Sequence, residues 1–88
     1  MPKTLEWVVY LVRCSDLSYY TGISNHLERR IKEHNGPTAG AKYTRARQPV
    51  ELVYYEICEN RSEAARREYE IKQFSKSKKE ALINFSNT

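Results

Sequence analysis

Cysteine is scarce in this chain, and the two present, Cys14 and Cys58, are too few and too far apart for a zinc site or a close redox pair. Both are read as buried strand residues. Glycine and proline number three each, and no internal repeat or low-complexity run is visible. No stretch approaches the roughly 18 apolar residues of a membrane span, and the first six residues contain no apolar leader segment. A reducing cytoplasm, with no membrane partner, is the expected location. What is present is aromatic surface. Seven tyrosines, two phenylalanines and one tryptophan in 88 residues can stabilise a short chain without disulfides, since each buried ring removes about 150–250 Å² from water. The length fits a single domain, residues 1–88, with its core at 7–83.

The formal charge is +4, compatible with a polyanionic partner and equally with a solvated basic face. The distribution is more telling. Arg29, Arg30, Lys32, Lys42, Arg45 and Arg47 face a single acid, Glu33, within one stretch, and Lys72, Lys76, Lys78 and Lys79 form a second cluster.

Hydrophobic periodicity predicts strand, strand, helix, basic loop, strand, helix and short helix. Trp7 to Cys14 and Tyr19 to Ile23 read as a hairpin across a Ser15–Ser18 turn. Asn25 with Glu28 predicts an N-cap for a helix ending near Asn35, before Gly36-Pro37. Residues 38–49 read as irregular or briefly helical. Val50 to Cys58 is apolar enough to sit centrally in a sheet or to be covered on both faces. Asn60 or Ser62 caps a helix to about Phe74, and Ser77 with Glu80 predicts a last turn or two carrying Ala81, Leu82 and Ile83, with only Ser86-Asn87-Thr88 frayed.

A helix advances about 100° per residue, so Leu27 and Ile31 set the core face of the first helix. Arg30 and His34 fall within about 60° of Leu27, while Glu28, Arg29, Lys32 and Glu33 point away. For Arg30 the plain alternative is snorkelling or pairing with a carboxylate, and for His34 a favourable place at the helix C-terminus. In the later helix Ala64, Ala65, Ile71 and Ser75 make a narrow stripe with Glu68 near its middle. A carboxylate there needs a cation or a strong donor. Pairing with Lys72 at i+4 accounts for its charge, and a metal-ligand role accounts for its place on the stripe.

Side chains alternate faces along a strand, so the hairpin loop decides which tyrosines meet. A loop of Asp16, Leu17 and Ser18 sets Tyr10 opposite Ser24 and diagonal to Gly22, with Tyr20 on the same face as Tyr10. A loop one residue shorter puts the two on opposite faces. In the first register Gly22 leaves an open place beside Tyr10. Tyr19, Tyr54 and Tyr55 read as core tyrosines with satisfied hydroxyls.

Val8-Val9-Tyr10, Tyr20-Thr21-Gly22, Arg30 with His34, and Glu68 within Ala64-Ala65-Arg66-Arg67-Glu68 together resemble the GIY-YIG endonuclease domain, from about Trp7 to Ile83. Within that superfamily the chain is similar to small standalone bacterial proteins of an uncharacterised family. Gly40-Ala41-Lys42-Tyr43-Thr44, with Arg45 and Arg47, also resembles the catalytic subunit of eukaryotic branched-DNA junction nucleases. Five motif matches in order are specific where one would be weak. Val8 replaces the first glycine and Thr21 an isoleucine, and neither change removes a catalytic group.

The resemblance implies an α/β (α+β) fold with a three-stranded antiparallel sheet between helices. It implies one-metal hydrolysis of phosphodiester bonds in nucleic acid, DNA ahead of RNA. A monomer is the plain expectation, with a protein partner able to supply specificity. Tyr10 or Tyr20 would take the proton of the attacking water with help from the metal or a neighbouring group such as His34, Arg30 would stabilise the transition state, and Glu68 would hold Mg²⁺ or Mn²⁺. A phenol in this role would need its pKa lowered by nearby cations. Lys42 and Tyr43 would add phosphate contacts, and Arg45, Arg47, Lys76, Lys78 and Lys79 would bind the backbone without regard to sequence. Two other classes fit the composition: a binding module without turnover, and an adaptor whose aromatic hairpin meets a protein.

Overall fold

The computed structural model describes residues 4–37 and 41–86, excepting the side chain of Ser86. The elements are β1 (Val8–Arg13), β2 (Tyr19–Ser24), α1 (Leu27–His34), α2 (Lys42–Arg45), β3 (Glu51–Ile57), α3 (Arg61–Lys72) and α4 (Lys76–Ser86). One antiparallel sheet of three strands runs in the order β2-β1-β3. Helices cover both of its faces. Gly40 of the junction-nuclease-like segment, and Asn87 and Thr88, lie outside the described residues.

The centre of the sheet is β1, and β3, for which the sequence offered a central or doubly covered place, lies at the edge with several exposed residues. Val8, Val9, Leu11 and Val12 are fully buried and Tyr10 nearly so, because both faces of this strand are apolar. In β3 the residues Glu51, Tyr55 and Ile57 stay exposed, as suits an edge. Tyr55, opposite Tyr10 in the ladder, is therefore not the core residue expected. Tyr19 and Tyr54 are half-buried, and their hydroxyls donate to Glu80 and Glu56.

Alternation along β1 sorts the core into two layers. Val8, Tyr10, Val12 and Cys14 pack with Leu27 and Ile31 of α1. Val9 and Leu11 face the other way, against Ile71 of α3 and Ile83 of α4, with Phe74, Leu82 and the half-buried Cys58 alongside. Each such aliphatic side chain contributes about 1.5–3 kcal/mol by leaving water.

Three local expectations need correction. The hairpin loop is Ser15-Asp16-Leu17, closed by Cys14 and Ser18, whose backbones bond at 2.8 Å, and Leu17 adopts φ 68°. This is a turn followed by a left-handed residue. It sets Tyr10 directly opposite Gly22 rather than Ser24, yet leaves Tyr10 and Tyr20 on one face. The N-cap of α1 is His26, whose Nδ1 accepts from Arg29 N at 3.4 Å, and not Asn25. Ser24 Oγ accepts from His26 N at 2.9 Å and turns the chain into the helix one residue late. Finally α4 is 11 residues long, not a turn or two, because Ile83 and Leu82 dock on the sheet. Its first turn is capped by Ser75 Oγ, which accepts from Lys78 N at 3.1 Å, and not by Ser77.

The helix α3 begins at the expected cap, with Asn60 Oδ1 accepting from Glu63 N at 2.9 Å. Arg67 then forks onto Glu56 of β3 through Nε at 3.0 Å and Nη2 at 3.0 Å. A paired guanidinium and carboxylate of this geometry fixes orientation as well as distance. It holds α3, and hence Glu68, at a set rotation on the sheet.

Candidate active site

Tyr10 projects from β1 across Gly22 of β2. The approach is so close that a Cβ on Gly22 would stand 2.5 Å from the Tyr10 hydroxyl oxygen. The place beside Tyr10 is thus filled by its own ring, and not open as the strand pattern suggested. The hydroxyl lies 2.6 Å from His34 Nε2, and His34 Nδ1 lies 2.7 Å from Thr44 Oγ1. Thr44 donates in turn to the Ala41 carbonyl at 3.0 Å. Tyr10, His34 and Thr44 are all at or below 1% exposure.

The ring of Tyr20 meets His34 edge-on, with centroids 5.3 Å apart, and stacks on Tyr43 at 6.0 Å. Both motif tyrosines therefore converge on one imidazole. Arg30 is half-buried on the same helix as His34 and donates to Glu33 Oε1 at 3.1 Å. Although burial opposes its charge, the hydrogen bonds to Glu33 and to Tyr10 hold its pKa above the ordinary arginine value. Pairing with a carboxylate is thus observed, and Glu33 turns toward the core edge instead of pointing away. Glu28 does likewise, with one oxygen buried without a hydrogen bond and the other 3.3 Å from Lys32 Nζ.

Burial pushes the Tyr10 phenol up to about 12, with Arg30 pulling it down and the charges of Tyr20 and Glu68 pushing it further up. The shift runs opposite to the expected lowering, so at neutral pH Tyr10 keeps its proton. Burial, helped by the Arg30 charge and opposed by Glu33, drives His34 down to about 4. The imidazole is neutral at physiological pH.

This shift makes stability depend on pH with a definite sign. Unfolded His34 protonates near its ordinary 6.5, whereas the folded residue resists to about 4. In between the unfolded state binds more protons, so stability is complete above the ordinary value and is lost as pH falls toward the folded one. Urea unfolding at pH 7 and pH 5 is expected to differ by about 2 kcal/mol, and His34→Gln to remove most of that difference. An equal pH dependence in the two proteins would contradict the burial of a neutral His34.

Glu68 is half-buried on α3, between the buried Ala64 and Ile71. Its Oε2 lies 3.5 Å from Lys72 Nζ, the i+4 pair anticipated as the plain alternative. Together with Ile23, Arg61, Ser62 and Ala65 it lines an open groove of about 570 Å³. Its charge reaches Tyr10. Ala65 and Ser75, placed on the buried stripe by the helical wheel, are exposed, because the helix turns that edge toward the groove and ends at Lys72. Among the described residues no cluster of three or more His, Cys, Asp or Glu side chains is arranged to hold a metal ion by itself.

The family model of the GIY-YIG catalytic domain matches residues 6–81. The chain belongs to the GIY-YIG family. Relatives match this GIY-YIG domain along most of its length. A UPF0213 protein of Desulfotalea psychrophila is 54% identical over 80 residues, covering 91% of this chain and 73% of the relative. A UPF0213 protein of Halobacterium salinarum is 54% identical over 75 residues, covering 85% and 96%. The solution NMR structure of a UPF0213 protein from Bacillus halodurans matches with a TM-score of 0.57 at 44% identity, over 90% of this chain and 83% of that one. That of a protein from E. faecalis matches with a TM-score of 0.63 at 37% identity, over 100% and 94%.

The residues expected to bind nucleic acid fall into two sets. Lys42, Tyr43, Arg45 and Arg47 line an open groove of about 630 Å³ next to the Tyr20 ring. Arg47 is already engaged, donating to Asp16 Oδ2 at 3.0 Å and to the Tyr43 carbonyl at 2.9 Å, with its guanidinium 3.9 Å from the Tyr43 ring centre. Lys76, Lys78 and Lys79 lie on α4, against the face of the sheet opposite Tyr10, and Lys78 covers the Phe74 ring. The fold does not bring these lysines to the tyrosine cluster. No helix among the described residues is long and apolar enough to cross a membrane.

Sequence reasoning passed over Thr44, Asn35 and Gln48. Asn35 exchanges two side-chain hydrogen bonds with the Val50 backbone, at 3.0 and 2.7 Å. Gln48 Nε2 donates to the carbonyls of His34 at 2.8 Å and Gly36 at 2.7 Å. These amides clasp the end of α1 to the segment that follows α2. Nothing in their sequence context sets them apart from surface amides, whereas Thr44 lay within a segment already singled out.

Proposed function

We propose that this GIY-YIG domain is a metal-dependent nuclease that hydrolyses phosphodiester bonds in DNA, with flapped, branched or single-stranded substrates ahead of plain duplex, in repair or recombination. The observation that carries the reading is the buried hydrogen bond between Tyr10 and neutral His34, beside the charged Arg30 and in the field of the Glu68 carboxylate. A structural core has no need of that combination.

The chemistry follows from proton positions. Water attacking phosphorus gives a proton to the Tyr10 oxygen as the Tyr10 proton passes to His34 Nε2, while the P–O bond to the sugar oxygen opposite the incoming water breaks and that oxygen leaves, taking its proton from solvent. The high proton affinity of Tyr10 makes it a strong acceptor once its own proton has left, and His34 supplies the destination. Arg30 faces the charge that develops on the phosphoryl oxygens. The Tyr20 ring, backed by Tyr43, walls one side of the imidazole. Lys42 and Arg45 hold the nucleic-acid backbone, and their contribution weakens with salt.

Glu68 would hold the divalent ion. A single carboxylate on an open groove suits Mg²⁺ or Mn²⁺, whose remaining places are filled by water and phosphate oxygens. Such an ion supplies Lewis acidity at the phosphate. The pairing of Glu68 with Lys72 and the full burial of Tyr10 favour a second reading, a nucleic-acid-binding module without turnover.

The deciding experiment incubates the purified protein with labelled single-stranded, duplex, flapped and branched DNA and matching RNA, in Mg²⁺, Mn²⁺ or EDTA. Cleavage that EDTA abolishes is expected. Salt-sensitive binding with no cleavage in either metal would transfer the assignment to the binding module.

A further inference from the structure

We propose that Thr44 is a positioning residue that fixes the tautomer of His34, so that Nε2 faces the Tyr10 hydroxyl with its lone pair free. The assignment rests on counting protons. A threonine hydroxyl has one proton to donate, and Thr44 spends it on the Ala41 carbonyl at 3.0 Å, a group that only accepts. The contact of Thr44 Oγ1 with His34 Nδ1 at 2.7 Å must then be donated by Nδ1–H. A neutral imidazole with its proton on Nδ1 has a bare Nε2, and the 2.6 Å contact with Tyr10 becomes a hydrogen bond from the phenol.

The architecture around Thr44 supports this purpose. The helix α2 has four residues, and Thr44 is the buried one among them, while Lys42, Tyr43 and Arg45 are exposed. The Gln48 bonds to the His34 and Gly36 carbonyls hold the same segment against the end of α1. The groups around the imidazole are Tyr10 of β1, Tyr20 of β2, Arg30 and Glu33 of its own helix, and Thr44. Among the described residues Thr44 alone touches Nδ1 with an oxygen whose proton is already committed. The opposite tautomer would point Nε2–H at the Tyr10 oxygen, and His34 would be unable to receive the phenolic proton.

The kinetic part of this proposal rests on the nuclease reading, while the tautomer part does not. The first test is long-range proton–nitrogen NMR of the imidazole in the ¹⁵N-labelled wild-type protein at neutral pH. The expected spectrum shows His34 protonated on Nδ1 and bare on Nε2. The reverse pattern would overturn the proposal whatever the variants do. Thr44→Ser should keep the Nδ1–H tautomer and cleave within about threefold of wild type, and Thr44→Val should shift the tautomer toward Nε2–H. If general-base help of ordinary size is lost, Thr44→Val cleaves about 100-fold more slowly with DNA affinity unchanged. An unchanged tautomer and rate in Thr44→Val would also overturn it. Failure of the parent to cleave any substrate would sink the nuclease reading and leave the NMR result to decide the role of Thr44.

Discussion

Arg30→Ala is expected to slow single-turnover DNA cleavage by about 10²–10³-fold, the usual cost of removing one preorganised donor from a developing negative charge. The side chain is set in advance. Glu33 holds one arm at 3.1 Å, and the interaction with Tyr10 keeps the guanidinium at the site. Arg30→Lys should recover little, since an ammonium has no planar fork to hold a carboxylate and meet a phosphate at once. Affinity for DNA should change only a few-fold, because Lys42 and Arg45 supply separate exposed charge. A second readout is independent of turnover. The Arg30 charge helps to depress His34, so the His34 pKa should rise in Arg30→Ala. Full cleavage by the variant would remove Arg30 from the chemistry and return it to a structural pairing with Glu33.

Gly22→Ala should be the most damaging single methyl in the sheet. The added Cβ would lie 2.5 Å from the Tyr10 oxygen, 2.7 Å from Cζ and 3.1 Å from Cε2. Glycine is required here for space, because Gly22 sits in ordinary strand pairing with Tyr10 as its direct partner. The Tyr10 ring has nowhere to retreat, being enclosed by Val8, Val12, Leu27 and Ile31 and tied to His34. Overpacking of this kind costs about 1–3 kcal/mol. For a domain of this size each kcal/mol lowers the melting temperature by about 4–8 °C. Thermal unfolding of the two proteins measures it, and a melting point equal to wild type would show that the ring is free to move. Cleavage should fall further than stability alone explains, because any escape of the ring separates the hydroxyl from His34.

The readable parts of this protein were those set by local periodicity and side-chain parity. The helix wheel placed Arg30 and His34 at the core edge because Leu27 and Ile31 leave only one way to turn α1. Tyr10 and Tyr20 share a face in the observed register as in the anticipated one, since the two differ by an even step. The register itself was hidden. It depends on Leu17 taking a left-handed conformation, φ 68°, that leucine gives no reason to expect. The place of β3 was misjudged because Val50–Cys58 looks as apolar as β1 on average, and only the arrangement of Glu51, Tyr55 and Ile57 marks it as an edge. The capping motif at Ser77 competed with Ser75, two residues earlier, and docking of Ile83 on the sheet lengthened the helix. The contact of His34 with Thr44 spans ten positions in sequence and forms only when α2 folds back over α1. No pattern of spacing foretells it.

The most direct measurement is single-turnover cleavage of a labelled flapped DNA by the parent protein and by Glu68→Gln in Mg²⁺, with EDTA as control. The account predicts cleavage by the parent, none in EDTA, and a loss of at least about 100-fold in Glu68→Gln with binding retained. Equal, EDTA-resistant cleavage by the two proteins would contradict it.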